Sequence, residues 1–187
     1  IIQNTSASPT VDRYLTFAQF FKKGQVLPNE KLVLHAPGRT RQVQLDNLAI
    51  WADGSVKLGS ITVSVGNICA NRQVPVRLSK ATNEESDRFL LTPVSLTTVP
   101  FALTAKLSFT PDSSVYAGTI QSLDIGDALR GALAKSPNYW IRGPLATQAR
   151  VDMPLAGAGS MHITADVTGY ADDSVVADVQ YNNDIVT

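Results

Sequence analysis

Apolar and polar residues alternate along much of this chain with the period of a strand that buries one face. In 101–109 the odd positions Phe101, Leu103, Ala105, Leu107 and Phe109 are all apolar, and 161–167 repeats the pattern with Met161, Ile163, Ala165 and Val167. These side chains are predicted to face the core. Further strands are predicted over 31–35, 41–51, 55–65, 73–78, 115–121, 139–151 and 174–181. Ala52-Asp53-Gly54 and Ala171-Asp172-Asp173-Ser174 are short joints of turn-forming residues, so the strands flanking each are expected to be antiparallel neighbours. Within 55–65 the apolar phase slips from even (Val56, Leu58) to odd (Ile61, Val63, Val65), which predicts a β-bulge near Gly59-Ser60.

One segment changes period. Ile125, Ala128, Leu129, Ala132 and Leu133 form the stripe of an amphipathic helix near 124–135, with Asp124 as its N-cap and Pro137 beyond its end. The polar stretch 80–88 reads as a surface loop, and residues 1–10, rich in Ser, Thr, Asn and Pro, as a connector or arm. The remainder, 11–187, is expected to be a single domain.

Composition supports the lean toward sheet: among 187 residues there are 18 Val and 16 Thr, and the acidic residues are 13 Asp against 3 Glu. Sixteen basic side chains balance sixteen acidic ones, so no overall field draws the protein onto nucleic acid or an anionic membrane surface. The balance is uneven along the chain. Residues 1–93 carry 11 basic and 7 acidic side chains, and 94–187 carry 5 and 9. A lone cysteine, Cys69, forms no intrachain disulfide and fits core packing. No apolar run has the length of a membrane helix, and the N-terminus lacks the regions of a signal peptide. The missing initiator Met leads us to expect a segment of a longer protein.

The chemistry-bearing residues are few. His35 and His162 are the only histidines, and both fall in strand-like segments outside any catalytic signature. On one strand face His162 and Asp166 stand four residues apart, roughly 13 Å, too far to pair directly. No spacing fits a metal site or a phosphate loop, so no cofactor is expected. Sugar-binding platforms use Trp and Tyr faces beside polar groups. Tyr139 and Trp140 point to opposite faces of a strand, and alternation leaves open which one is outward. Tyr139, Trp140 and His162 are the candidate glycan contacts.

Several stretches resemble a known family: YLTFAQFFKKGQVLP at 14–28, QLDNLAIWADGSVKLGSITV at 44–63, YWIRGPLATQARVDMPL at 139–155 and MHITADVTGYADDSVVADVQYNND at 161–184. They are similar to the RIFT-related barrel domain found at the N-terminus of exo-rhamnogalacturonan-lyase-like proteins and in tail and fibre proteins of tailed bacteriophages. The resemblance implies a mostly antiparallel β-barrel or sandwich, with Trp51, Asp53 and Gly54 at a structural hairpin and Gly143-Pro144 breaking a long strand. The sequence departs from the family pattern at Ala18, where a Gly is usual, and at Leu58, where a His is usual.

The leading expectation is a non-enzymatic structural module of a phage virion, in the tail, tail tip or fibre. Its partners would be other virion proteins, copies of itself and a host-surface glycan, with neither nucleic acid nor membrane insertion. The alternative is a carbohydrate-binding accessory module of a secreted polysaccharide-degrading protein.

Overall fold

Strands dominate the described residues, 1–97, 102–108, 120–135, 137–155 and 161–183, of a computed structural model of the chain. Main-chain contacts group the chain into two units, Ile1–Val94 with Ile141–Ala146, and Ser95–Trp140 with Thr147–Thr187.

The first unit carries β1 (Ile2–Gln3), β2 (Thr10–Phe20), β3 (Leu32–Ala36), β4 (Arg39–Ile50), β5 (Val56–Ile68), β6 (Gln73–Val74), β7 (Arg77–Lys80) and the short helix α1 (Asn83–Ser86). Five strands form one sheet in the order β2-β5-β4-β3-β7, and β1 pairs with β6. The arm at 1–10 therefore contributes a strand, and its Asn4 is buried, donating to the carbonyl of Ile68 at 3.1 Å. Leu32, Leu34, Val43, Ile61 and Val63 meet Phe21, Val26 and Val56 in the core. On the other face of the sheet the buried side chains include Gln44, Ser60 and Thr62, with the Thr62 hydroxyl 2.9 Å from that of Thr16.

The second unit carries β8 (Thr104–Ser108), β9 (Ile120–Asp124), α2 (Ile125–Leu133), β10 (Asn138–Arg142, whose last residues belong to the first unit), β11 (Ala146–Pro154), β12 (Met161–Tyr170) and β13 (Val175–Asn183). β8 pairs with β9, and β10-β11-β12-β13 form a four-stranded sheet. Asp124 caps α2 by accepting from the Asp127 N–H at 2.8 Å. Ile125 and Leu129 of that helix pack with Leu96, Ala149, Val151, Met153, Ile163, Ala165 and Val167.

The mostly antiparallel β architecture agrees with the alternation, as does the helix near 124–135. Leu103 and Leu107 pack against the core half-buried, Met161 is half-buried, and Ile163 and Val167 are buried. Phe101, Phe109 and 115–119 of the predicted strands lie outside the described residues.

Several details differ, and Cys69, expected in the core, is exposed just after the end of β5. Among the described residues there are two helices, not one: within 80–88, Thr82 and Glu85 form a capping box that nucleates α1. The segment 73–78 is divided between β6 and β7 at Pro75, which has no N–H for a ladder; 139–151, continuous by alternation, is divided at Gly143-Pro144 as the resemblance implies. β2 escapes the alternation because Tyr14, Leu15, Phe17 and Phe20 put large apolar groups on both of its faces.

The irregularity near Gly59 lies to either side of Leu58. Asn47 faces Gly59, Ala49 faces Leu58 and Ile50 faces Val56, so Leu48 and Lys57 are the extra residues. Gly59 and Ser60 pair regularly with Gln19 and Ala18 of β2. The apolar phase blurs for a second reason: β5 lies between two strands and is buried at every position from Gly59 to Val63.

Candidate glycan-binding face

The odd-numbered side chains of β11 and β12 fill the core of the second unit, so the even-numbered ones point the other way. They are polar: Gln148, Arg150 and Asp152 on β11, and His162, Thr164, Asp166 and Thr168 on β12. β13 extends the row, with Asn182 opposite His162, Gln180 opposite Thr164 and Asp178 opposite Asp166. Hydrogen bonds run across the strands, from Gln148 Nε2 to Thr168 Oγ1 at 2.9 Å and from Asn182 Nδ2 to Thr164 Oγ1 at 2.9 Å.

Arg150 anchors the row. Its Nε donates to Asp166 Oδ1 at 2.8 Å and its Nη2 to Oδ2 at 2.7 Å, a two-point bond of planar groups. Two aspartates facing each other, Asp166 and Asp178, would repel, and the guanidinium offsets that. The bond to Asp166 raises the Arg150 pKa against the opposing effect of desolvation, so the charge is fixed at any ordinary pH.

The same guanidinium lies 4.9 Å from the centroid of the Trp140 ring. Trp140 is 49% exposed, while its neighbour Tyr139 packs against the core cluster. The alternation left open by the sequence thus resolves with the indole outward. His162 shares the polar face, its Nε2 3.8 Å from Asp152 Oδ1. Of the three candidate contacts, Trp140 and His162 lie on the outer face and Tyr139 does not. Asp166 stood on that face in the sequence reading, but its pairing with Arg150 escaped because nothing in a one-dimensional pattern aligns positions sixteen residues apart.

Trp51, Asp53 and Gly54 lie elsewhere, in the first unit. The Gly54 N–H donates to the Trp51 carbonyl at 2.9 Å and the Trp51 N–H to the Ser55 carbonyl at 2.7 Å, closing a tight turn. Asp53 Oδ1 accepts from the Ser55 hydroxyl at 2.6 Å and its N–H at 3.1 Å, and Gly54 takes φ +84°. The indole N–H of Trp51 donates to the Phe21 carbonyl at 3.1 Å, tying the turn to the end of β2. The other histidine, His35, lies between Thr40 Oγ1 at 3.2 Å and Ser79 Oγ at 2.7 Å. Among the described residues no group of three or more His, Cys, Asp or Glu is arranged to hold a metal ion, and no helix is long and apolar enough to cross a membrane.

Residues 3–77 match the family model of the PcRGLX-like N-terminal RIFT barrel domain. The match supports the resemblance to the RIFT-related barrel of rhamnogalacturonan-lyase-like proteins and lends nothing to its bacteriophage side. It begins in β1, ends at the first residue of β7 and contains the Trp51–Gly54 turn, all within the first unit. No curated protein and no solved structure matches the chain.

Proposed function

We propose that this chain is a carbohydrate-binding accessory module, without turnover of its own, of a secreted polysaccharide-degrading protein. The observation that carries the reading is Trp140, half-exposed and braced by an arginine that is itself locked to Asp166. An indole presents a flat apolar surface to the C–H face of a sugar ring, and the polar groups around it satisfy hydroxyls. Because the Arg150 charge is already spent on Asp166, the face suits a neutral glycan better than a uronate. The family match over residues 3–77 adds the context of a lyase-like protein.

Binding to an array of neutral and pectic glycans, followed by calorimetry on the best ligand, tests the reading. We expect binding that Trp140→Ala abolishes, and no new chain ends when the polysaccharide is incubated with the protein. Release of cleavage products would replace the module with an enzyme.

A second reading has one observation in its favour. A structural module of a phage tail would work through contacts with other virion proteins and copies of itself, and β2 offers an exposed apolar edge, with Leu15 37%, Phe17 39% and Phe20 69% exposed. A blank glycan array together with self-association would favour it.

A further inference from the structure

Trp140, Arg150, Asp166 and Asp178 form one row across all four strands of the second unit's sheet, from β10 to β13. With neighbouring strands about 4.8 Å apart, roughly 14 Å separates the two ends of that row. Its middle members are committed to each other, since Arg150 spends Nε and Nη2 on the two oxygens of Asp166. Its ends are what a ligand can reach: the half-exposed indole and the exposed carboxylate of Asp178.

Donors and acceptors are left over unevenly on this face. Gln148 Nε2 and Asn182 Nδ2 donate across the strands to Thr168 and Thr164, and Gln180 Nε2 donates to Asp178, while the oxygens of these three amides accept from no described residue. The bond from Gln180 is long, at 3.4 Å, and no Lys or Arg among the described residues pairs with Asp178. Asp178 also faces Asp166 directly, and Arg150 reaches Asp166 from β11, the side away from β13. The other exposed carboxylate, Asp152, has only His162 Nε2 near it, at 3.8 Å. The groups still open are acceptors, and the charge still uncompensated is negative.

We infer that the ligand of this face is a glycan of hexosamine units with free amines, a sugar ring stacking on Trp140 while a protonated amino group donates to Asp178. The inference rests on the outer face being the glycan site and names the class of ligand it takes. An ammonium brings three donors and a positive charge, which is what open amide oxygens and a carboxylate without a cation call for. It also relieves the repulsion between Asp178 and Asp166 from the side that Arg150 does not serve. The guanidinium beside the indole repels an ammonium and so directs the amine to the β13 end of the row. A chain with amines on several sugars can meet Asp152 as well, which adds to the gain. Acetylation of the amine removes the charge, and a uronate adds one of the wrong sign.

Calorimetry of the full chain with a glucosamine hexamer and with its fully N-acetylated counterpart tests this, at about pH 5.5, where aspartates are ionised and the amines carry protons. The amine form is expected to bind at least about fivefold more tightly. Asp178→Asn is expected to bring that ratio below about twofold, with circular dichroism unchanged because the side chain is exposed. Asp87→Asn, which removes an exposed carboxylate of the first unit, is expected to leave the ratio intact. Trp140→Ala should abolish binding of both hexamers. Equal affinities, a ratio that survives Asp178→Asn, or binding of other glycans but of neither hexamer would each overturn the inference and leave the carbohydrate-binding reading standing. Failure of every glycan to bind overturns both.

Discussion

The side-chain amide of Gln44 occupies the space that a Cβ on Gly143 would need. Its Oε1 and Nε2 would lie 2.6 and 2.7 Å from that atom, closer than packed side chains come. The amide is held there because Oε1 accepts from the N–H groups of Leu145 and Ala146 at 2.8 and 2.9 Å while Nε2 donates to the Ala146 carbonyl at 2.9 Å. A side chain on β4 thus does the hydrogen bonding of a missing strand for a segment more than a hundred positions away in sequence.

Two substitutions follow from that fit. Gln44→Leu leaves two buried N–H groups without their acceptor and should cost about 2–4 kcal/mol of stability. Gly143→Ala forces the amide out of place and should cost a comparable amount, whereas combining the two should cost clearly less than their sum. Urea denaturation of both single variants and the double variant checks this.

Gly54 is a case of strain without crowding. A Cβ there would meet nothing within 4 Å, yet φ is +84°. Gly54→Val should therefore destabilise by about 1–3 kcal/mol through the backbone alone. Gly54→Asn should recover part of that, since Asn tolerates positive φ better. Thermal melts of the two variants give the comparison, and equal melting temperatures would contradict it.

On the outer sheet face, Arg150→Met should retain the fold and lose glycan affinity, because the indole loses its brace and Asp166 is left facing Asp178. We expect at least a tenfold rise in Kd for the best array ligand, about 1.4 kcal/mol. Ligand titration by calorimetry measures it, and Arg150→Lys, which keeps the charge but not the planar two-point bond, should recover little.

Acid sensitivity has a defined sign. The Glu30 carboxyl is held below its ordinary 4.5, first by the hydrogen bond from Lys80 and then by the Leu27 N–H, and Asp53 below its ordinary 3.8 by the hydroxyl and N–H of Ser55. A depressed folded value means stability that is complete above the unfolded value and is lost as pH falls through the folded one. The melting temperature of Asp53→Ala should lie below that of the wild type at neutral pH, and the gap should narrow as pH drops below 3.8. Melts at a series of acid pH values read this directly.

How far the fold could be read in advance depended on whether a strand had one wet face. β12 was legible because Ile163, Ala165 and Val167 pack inward while His162, Thr164 and Asp166 do not. β5 was legible as a strand but not in its irregularity, since burial on both faces erases the alternation that would locate an extra residue. β2 was missed because Leu15 and Phe17 point one way while Tyr14 and Phe20 point the other, a pattern without a period. The site was half legible. An aromatic pair on a strand announces one outward ring, but the partnership of Arg150 with Asp166 depends on how β11 and β12 align, and that alignment is a property of the sheet.

The polar row and the core of the second unit are written on the same strands in interleaved positions, even numbers outward and odd numbers inward. Evolution can therefore rewrite the even letters of β11, β12 and β13 to follow a changing target while the odd letters hold the unit together, so divergence of recognition and conservation of fold can proceed on one stretch of chain without trading against each other.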